Sequence, residues 1–183
     1  MKINLPLSKL NENDVCAEIG VWRGNFSKQI LCMKPSELHL IDPWVHQDHI
    51  RRCYSVEQSA MDSVYNSVTD KFKKDKRVVI HRSFSTEVSF PKEYFDWIYI
   101  DADHSYEAVL KDLNYYYPLM KSGGYMCGDD YGLWAGRPES GRGSDANGGP
   151  KPAVDEFVKS KNLKLEVSDN HEKDQFVIRC GED

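Results

Sequence analysis

No stretch of this chain approaches the roughly 20 apolar residues a membrane helix needs, and its beginning, MKINLPLSKLNENDV, turns polar before a signal-peptide core could form. A membrane span is therefore not expected, and a cytoplasmic location is. A block rich in Lys and Arg is also missing. Basic residues number 24 against 29 acidic ones, a formal net charge of -5, so a groove for nucleic-acid phosphates is disfavoured. Cysteine is sparse and unpatterned: Cys16, Cys32, Cys53, Cys127 and Cys180 are odd in number and never form C-x-x-C, which argues against a disulfide framework and a zinc ribbon.

What is present fits one domain over residues 1–183, long enough to close a core on both faces of a sheet. Short apolar runs alternate with helical patterns, which predicts an α/β fold with a mainly parallel, doubly wound sheet. Strands are expected at 15–19, 38–42, 77–81, 95–100, 124–127, 163–167 and 175–179. Helices are expected at 27–33, within a helical insertion at 45–76, at 106–119 and at 153–159. Residues 121–123 read as a turn. Between Gly132 and Pro152 lie six Gly, three Pro and two Arg with almost no apolar periodicity, the composition of a mobile lid loop.

Four motifs carry chemistry. The first is Glu18-Ile-Gly20-Val21-Trp22-Arg-Gly24, an acidic strand end followed by glycines that open a helix. Gly20 can adopt a backbone closed to other residues and lets a ligand approach the main chain, and the helix start offers N–H groups to a carboxylate. A dinucleotide loop carries a further glycine where Trp22 stands, so a cofactor without phosphates fits better than NAD. The second is Asp42, 22 positions after Gly20, placed to accept from the hydroxyls of an adenosine ribose.

The third motif is Asp101-Ala-Asp103-His104-Ser-Tyr106, and the fourth Gly128-Asp129-Asp130-Tyr131. Each ends a strand, so all four motifs converge on the carboxyl rim where open α/β sheets bind ligands. Asp101, Asp129 and Asp130 are hard oxygen donors suited to Mg²⁺, which would lower the pKa of a substrate hydroxyl. Asp103 or His104 would then be the general base. Helix capping by Asp103 or Ser105 is the structural alternative. A further cluster, His46, His49 and Cys53, has zinc-like residue types but shows three ligands and no matching fourth, and reads rather as a solvated helix start.

Together these motifs resemble the class I methyltransferases that use S-adenosylmethionine, in particular the branch of macrocin and aminocoumarin sugar O-methyltransferases. The resemblance implies a Rossmann-like sheet of about seven strands in the order 3-2-1-4-5-7-6 with the last strand antiparallel. It places the methionine part of the cofactor on Glu18, Gly20 and Val21, the ribose on Asp42, and the adenine beside Ser83 and Phe84. Asp101 contributes to the cofactor site and, with Asp129 and Asp130, to the metal of Mg²⁺-dependent members; the base matches Asp103 or His104. The acceptor implied is a small molecule with a sugar or phenol hydroxyl, and Trp44, Trp134, Tyr131, Arg137 and Arg142 are candidate acceptor contacts. Only about 14 residues precede the first strand, so residues 45–76, the lid or the second subunit of a homodimer is expected to complete the acceptor pocket. Metal-independent methyl transfer to oxygen or nitrogen, a nicotinamide-dependent oxidoreductase and a non-catalytic binding protein remain the alternatives.

Overall fold

Successive side chains of a strand leave on opposite faces, and the central strands here are apolar on both, so each face must be covered. In β1 (Val15–Ile19), Cys16 packs on one side while Ala17 and Ile19 pack on the other. In β2 (Glu37–Asp42), Leu38 and Leu40 are set against Ile41; in β4 (Phe95–Ile100), Trp97 and Tyr99 are set against Ile98 and Ile100. The structure is a computed structural model that describes residues 4–47, 56–132, 149–168 and 174–181.

The strands form one seven-stranded sheet in the order β3-β2-β1-β4-β5-β7-β6. Strands β1 to β5 run parallel, and β7 (Phe176–Arg179) is antiparallel to both β5 and β6 (Leu165–Val167). This is the expected order, with the last strand reversed. Helices α1 (Asn25–Cys32) and α2 (Gln58–Phe72) supply Ile30, Val68 and Phe72 to one face. Helices α3 (Tyr106–Tyr116) and α4 (Pro150–Lys161) supply Val109, Leu113, Tyr116, Val154 and Phe157 to the other. A 3-10 turn, Pro6–Lys9, completes the first face: Leu7 and Leu10 join its core, and the buried Trp97 Nε1 donates to the Pro6 carbonyl at 3.0 Å.

Several element boundaries shift by a few residues, and two of the shifts are informative. Strand β5 (Met120–Gly128) runs through the expected turn at 121–123. A register irregularity opposite Phe95 and Trp97 absorbs those residues, with Gly123 at φ +81°, so turn-like composition here marks a bulge rather than a strand start. Helix α4 begins at Pro150, inside the span expected as lid, because Pro fits the first turn of a helix where no N–H is needed. Residues 133–148 of that lid, with Trp134, Arg137 and Arg142, lie outside the described residues, as do His49 and Cys53. Helix α2 lies within the span 45–76 and buries Met61, Val68 and Phe72 at helical spacing.

Candidate active site

The parallel strands β1, β2 and β4 end side by side, and the segments that leave them build the site. Gly20, just past β1, has φ +87° and donates its N–H to the Ile41 carbonyl at 2.9 Å. A Cβ at this position would lie 2.0 Å from the Asp101 carbonyl oxygen and 2.8 Å from the Ala102 Cα. The close neighbour that requires glycine is thus the chain's own backbone after β4, and the ligand cleft opens beside it.

Asp42 ends β2 almost completely buried. One carboxylate oxygen accepts from the Val21 and Trp22 N–H groups at 3.0 and 2.9 Å, the other from the Trp44 N–H at 2.8 Å. Asp42 therefore shapes the loop between β1 and α1 as well as facing the cleft. Trp44 is sealed in the core with its Nε1 donating to the Trp22 carbonyl at 2.9 Å, and Lys71 of α2 donates to the Arg23 carbonyl. This fixes the loop from three sides and removes Trp44 as an acceptor-pocket wall. Tyr131 is likewise mostly buried, with its hydroxyl donating to Asp155 of α4 at 2.5 Å.

Glu18 does not reach the cleft. The pleat sends it to the face of α1, where Ser27 Oγ donates to its carboxyl. Burial pushes its pKa up to about 8, with Asp101 and Asp42 adding to the rise and the Ser27 bond and Lys71 opposing it. The folded state therefore holds a proton that an unfolded glutamate releases near 4.5. Stability falls as pH rises from about 4.5 to about 8, then levels off. Glu18→Gln is expected to flatten this slope in thermal unfolding between pH 5 and 9 and to be the more stable form at pH 9. A slope identical to that of the wild type would show that Glu18 titrates normally.

The acidic rim is organised around a histidine. His104 Nε2 donates to Asp101 Oδ1 at 3.1 Å, and Nδ1 lies 3.7 Å from Asp130 Oδ2. Burial works against a charge on this ring, but the hydrogen bond to Asp101 and the charges of Asp101, Asp130 and Asp129 outweigh it and hold the pKa above the usual histidine range. Asp103 accepts the Ser105 N–H at 2.9 Å, and Ser105 caps α3 by accepting from the Ala108 N–H at 3.3 Å. The expected capping thus belongs to Ser105, with Asp103 forming the turn before it.

The Mg²⁺ set expected from Asp101, Asp129 and Asp130 is not assembled. Among the described residues no group of three or more His, Cys, Asp or Glu side chains is placed to hold a metal ion. The reason is local: the imidazole of His104, rather than open space, separates Asp101 from Asp130. As arranged, these residues do not fit the ion. His46, from the zinc-like cluster, pairs instead through Nδ1 with the Val56 carbonyl at 2.7 Å.

A cleft of about 440 Å³ runs along the rim from Ile19 and Gly20, past Ile41, Asp42 and Pro43, to Phe84, Ser85, Thr86 and Glu87 after β3 (Val78–Arg82). Ala102, Asp103 and the α3 residues Ala108, Lys111 and Asp112 also line it. Of the residues expected to bind a cofactor, Gly20 and Asp42 line it, and Phe84 does too. Val21 is buried in the core and contributes through its backbone N–H. Ser83 turns its hydroxyl to Glu87 at 3.3 Å, so its neighbours 84–87, rather than Ser83 itself, face the cleft. Asp101 belongs to the His104 cluster. Asp112 was missed by sequence reasoning, although a carboxylate set between Val109, Leu113 and Tyr116 on a buried helical stripe was a visible signal.

Comparison with known proteins decides the family. A model described as "Methyltransferase domain" matches residues 17–131. The chain belongs to the methyltransferase-domain family. As a member it is an S-adenosylmethionine-dependent methyltransferase. A second model, described as rhamnosyl O-methyltransferase/CmcI, matches residues 86–183. The fold is shared with the N-methyltransferase NodS of Bradyrhizobium japonicum solved with S-adenosyl-L-homocysteine, at a TM-score of 0.65 and 13% identity over 97% of this chain and 83% of that one. A putative rRNA-methylase from Clostridium thermocellum matches at a TM-score of 0.67 and 14% identity, covering 100% of both chains. Among curated proteins, an uncharacterized protein of Acanthamoeba polyphaga mimivirus is 47% identical over 36 residues, which span 20% of this chain and 16% of that protein. No helix among the described residues is long and apolar enough to cross a membrane.

Proposed function

We propose that this methyltransferase acts on a hydroxyl of a small molecule, a sugar or a phenol, and that His104 takes the hydroxyl proton. The observation that carries the reading is the imidazole held between Asp101 and Asp130 at the carboxyl end of β4, beside the cleft. In this reading the adenosine of S-adenosylmethionine occupies the cleft along Asp42, and its methionine part lies toward the loop at 20–24 and the start of α1, where backbone N–H groups favour a carboxylate. The acceptor oxygen attacks the methyl carbon. A C–O bond forms as the C–S bond breaks, sulfur keeps the electron pair, and the proton passes to His104 Nδ1.

The cation so formed lies between two carboxylates, Asp101 having fixed the ring through Nε2. Since the donor is already activated, alignment of sulfur, methyl and oxygen supplies most of the acceleration. Asp103 lines the cofactor cleft and is spent on the turn before α3, which favours His104 over it as the base. The match of residues 86–183 to the rhamnosyl O-methyltransferase/CmcI model supports an oxygen acceptor.

The test is calorimetric titration with S-adenosylmethionine and S-adenosylhomocysteine, followed by methyl transfer to a panel of sugar and phenol hydroxyls, each with Mg²⁺ and with excess chelator. Micromolar binding of both and chelator-resistant transfer to a hydroxyl are expected. Transfer that stops in chelator and returns with Mg²⁺ would show that the carboxylates rearrange around a metal. Transfer to amines alone would overturn the oxygen reading.

A further inference from the structure

The far end of the cleft holds a carboxylate that the methyl-transfer step does not use. Asp112 is 4% exposed and sits on the face of α3 that packs toward the sheet, yet it lines the cleft. Among the described residues its hydrogen-bond partner is Ser85, whose Oγ donates to Oδ1 at 2.5 Å. Tyr116, one turn on, donates to the Ser85 carbonyl at 2.6 Å, so the segment after β3 is fastened to α3 at this point. One hydroxyl donor is little compensation for a buried carboxylate, which can accept about four hydrogen bonds. Burial accordingly pushes its pKa up to about 6, with the Ser85 bond and Lys111 opposing the rise. A helix that needed only an anchor for Ser85 would be served by a neutral acceptor at lower cost.

The surroundings suit a flat ring with a donor on its edge. Ile19, Ile41, Ala102 and Ala108 give apolar walls, and Phe84, nearly half exposed, stands at the mouth. The ribose and methionine ends of the cofactor belong at Asp42 and Gly20, which leaves this end for the base. We propose that Asp112 reads the exocyclic amine of the cofactor's adenine through its second carboxylate oxygen, and so selects an amino-purine cofactor over its 6-oxo counterpart. The inference rests on the S-adenosylmethionine reading above. An ionised carboxylate only accepts hydrogen bonds; it pairs with an amine and repels a ring oxo group.

The experiment compares binding of S-adenosylhomocysteine with that of S-inosylhomocysteine, which differs in carrying the 6-oxo group. The wild-type protein is expected to favour the amino form by at least about 30-fold, because a buried polar group left facing the wrong partner is heavily penalised. Asp112→Asn keeps an oxygen for Ser85 and turns an NH2 toward the ring, so the preference should shift by at least about tenfold toward the oxo form. Because the readout is a ratio within one protein, a general loss of folding lowers both affinities and leaves it unmoved.

A wild-type protein that binds neither compound overturns the cofactor reading itself. Binding of the amino form with a ratio that Asp112→Asn does not move reduces Asp112 to an anchor and overturns the inference alone. If the variant does not fold, a crystal structure of the wild-type complex decides. The adenine amine within hydrogen-bond distance of Asp112 upholds the assignment, and an amine turned to any other group defeats it.

Discussion

Replacing His104 by alanine is expected to lower methyl transfer to a hydroxyl by about 10²- to 10⁴-fold, the usual worth of a positioned general base, with the affinity for S-adenosylhomocysteine unchanged. The split follows from geometry: His104 contacts Asp101 and lies near Asp130, while the cleft proposed for the cofactor is lined by other residues. The pH profile supplies a second readout. His104 is held above the usual histidine range by Asp101, Asp130 and Asp129 against the cost of its burial. Below that raised value the ring is protonated and cannot take the acceptor's proton, so turnover should climb as pH rises through it and then level off. His104→Ala should lose the climb together with the rate. Stability runs the other way: the protonated ring's attraction to the carboxylates is fully present below the unfolded histidine pKa and is lost as pH rises through the folded one. A variant that keeps the wild-type rate and profile would remove His104 from the chemistry.

The same cluster shows what could be read from sequence and what could not. The Asp101-to-Tyr106 motif and the Gly128-to-Tyr131 motif were legible as strand-end chemistry, because an acidic run after an apolar one marks a rim. That the imidazole would settle between Asp101 and Asp130 depends on the turn Asp103 makes with the Ser105 N–H, which residue types do not specify. Strands β1 and β4 were legible to the residue, each being an apolar run with an abrupt polar or glycine end. Strand β5 was not, since a bulge and a turn draw on the same residues. Glu18 was expected at the ligand, but counting by two from Cys16 along β1 already sends it to the α1 face, opposite Ala17 and Ile19. The wall formed by Ser85 and Asp112 joins residues 27 positions apart, and only the packing of α3 brings them together.

The second large effect concerns folding. Gly20→Ala is expected to destabilise the protein by at least about 4 kcal/mol, at the severe end for one substitution, and to lower the melting temperature by roughly 8–16 °C for a chain of this size. Two costs combine. The positive φ of +87° is unfavourable for any L side chain, by about 1–2 kcal/mol. The larger cost is steric: the new Cβ would sit 2.0 Å from a backbone carbonyl oxygen, and no side chain can swing aside to relieve it. The ends of β1 and β4 would have to part where Asp101 donates its N–H to the Ile19 carbonyl at 2.8 Å, widening the floor of the cleft. Gly123→Ala separates the two costs. Its φ of +81° is nearly the same, but its Cβ would find nothing nearer than Arg179 Nη2 at 3.9 Å, so it should lose only about 1–2 kcal/mol. Equal losses in thermal unfolding of the two variants would mean that backbone conformation alone demands glycine at position 20. A far larger loss at Gly20, with cofactor affinity lost in whatever protein still folds, would show that the approach of two strand ends is what the position protects.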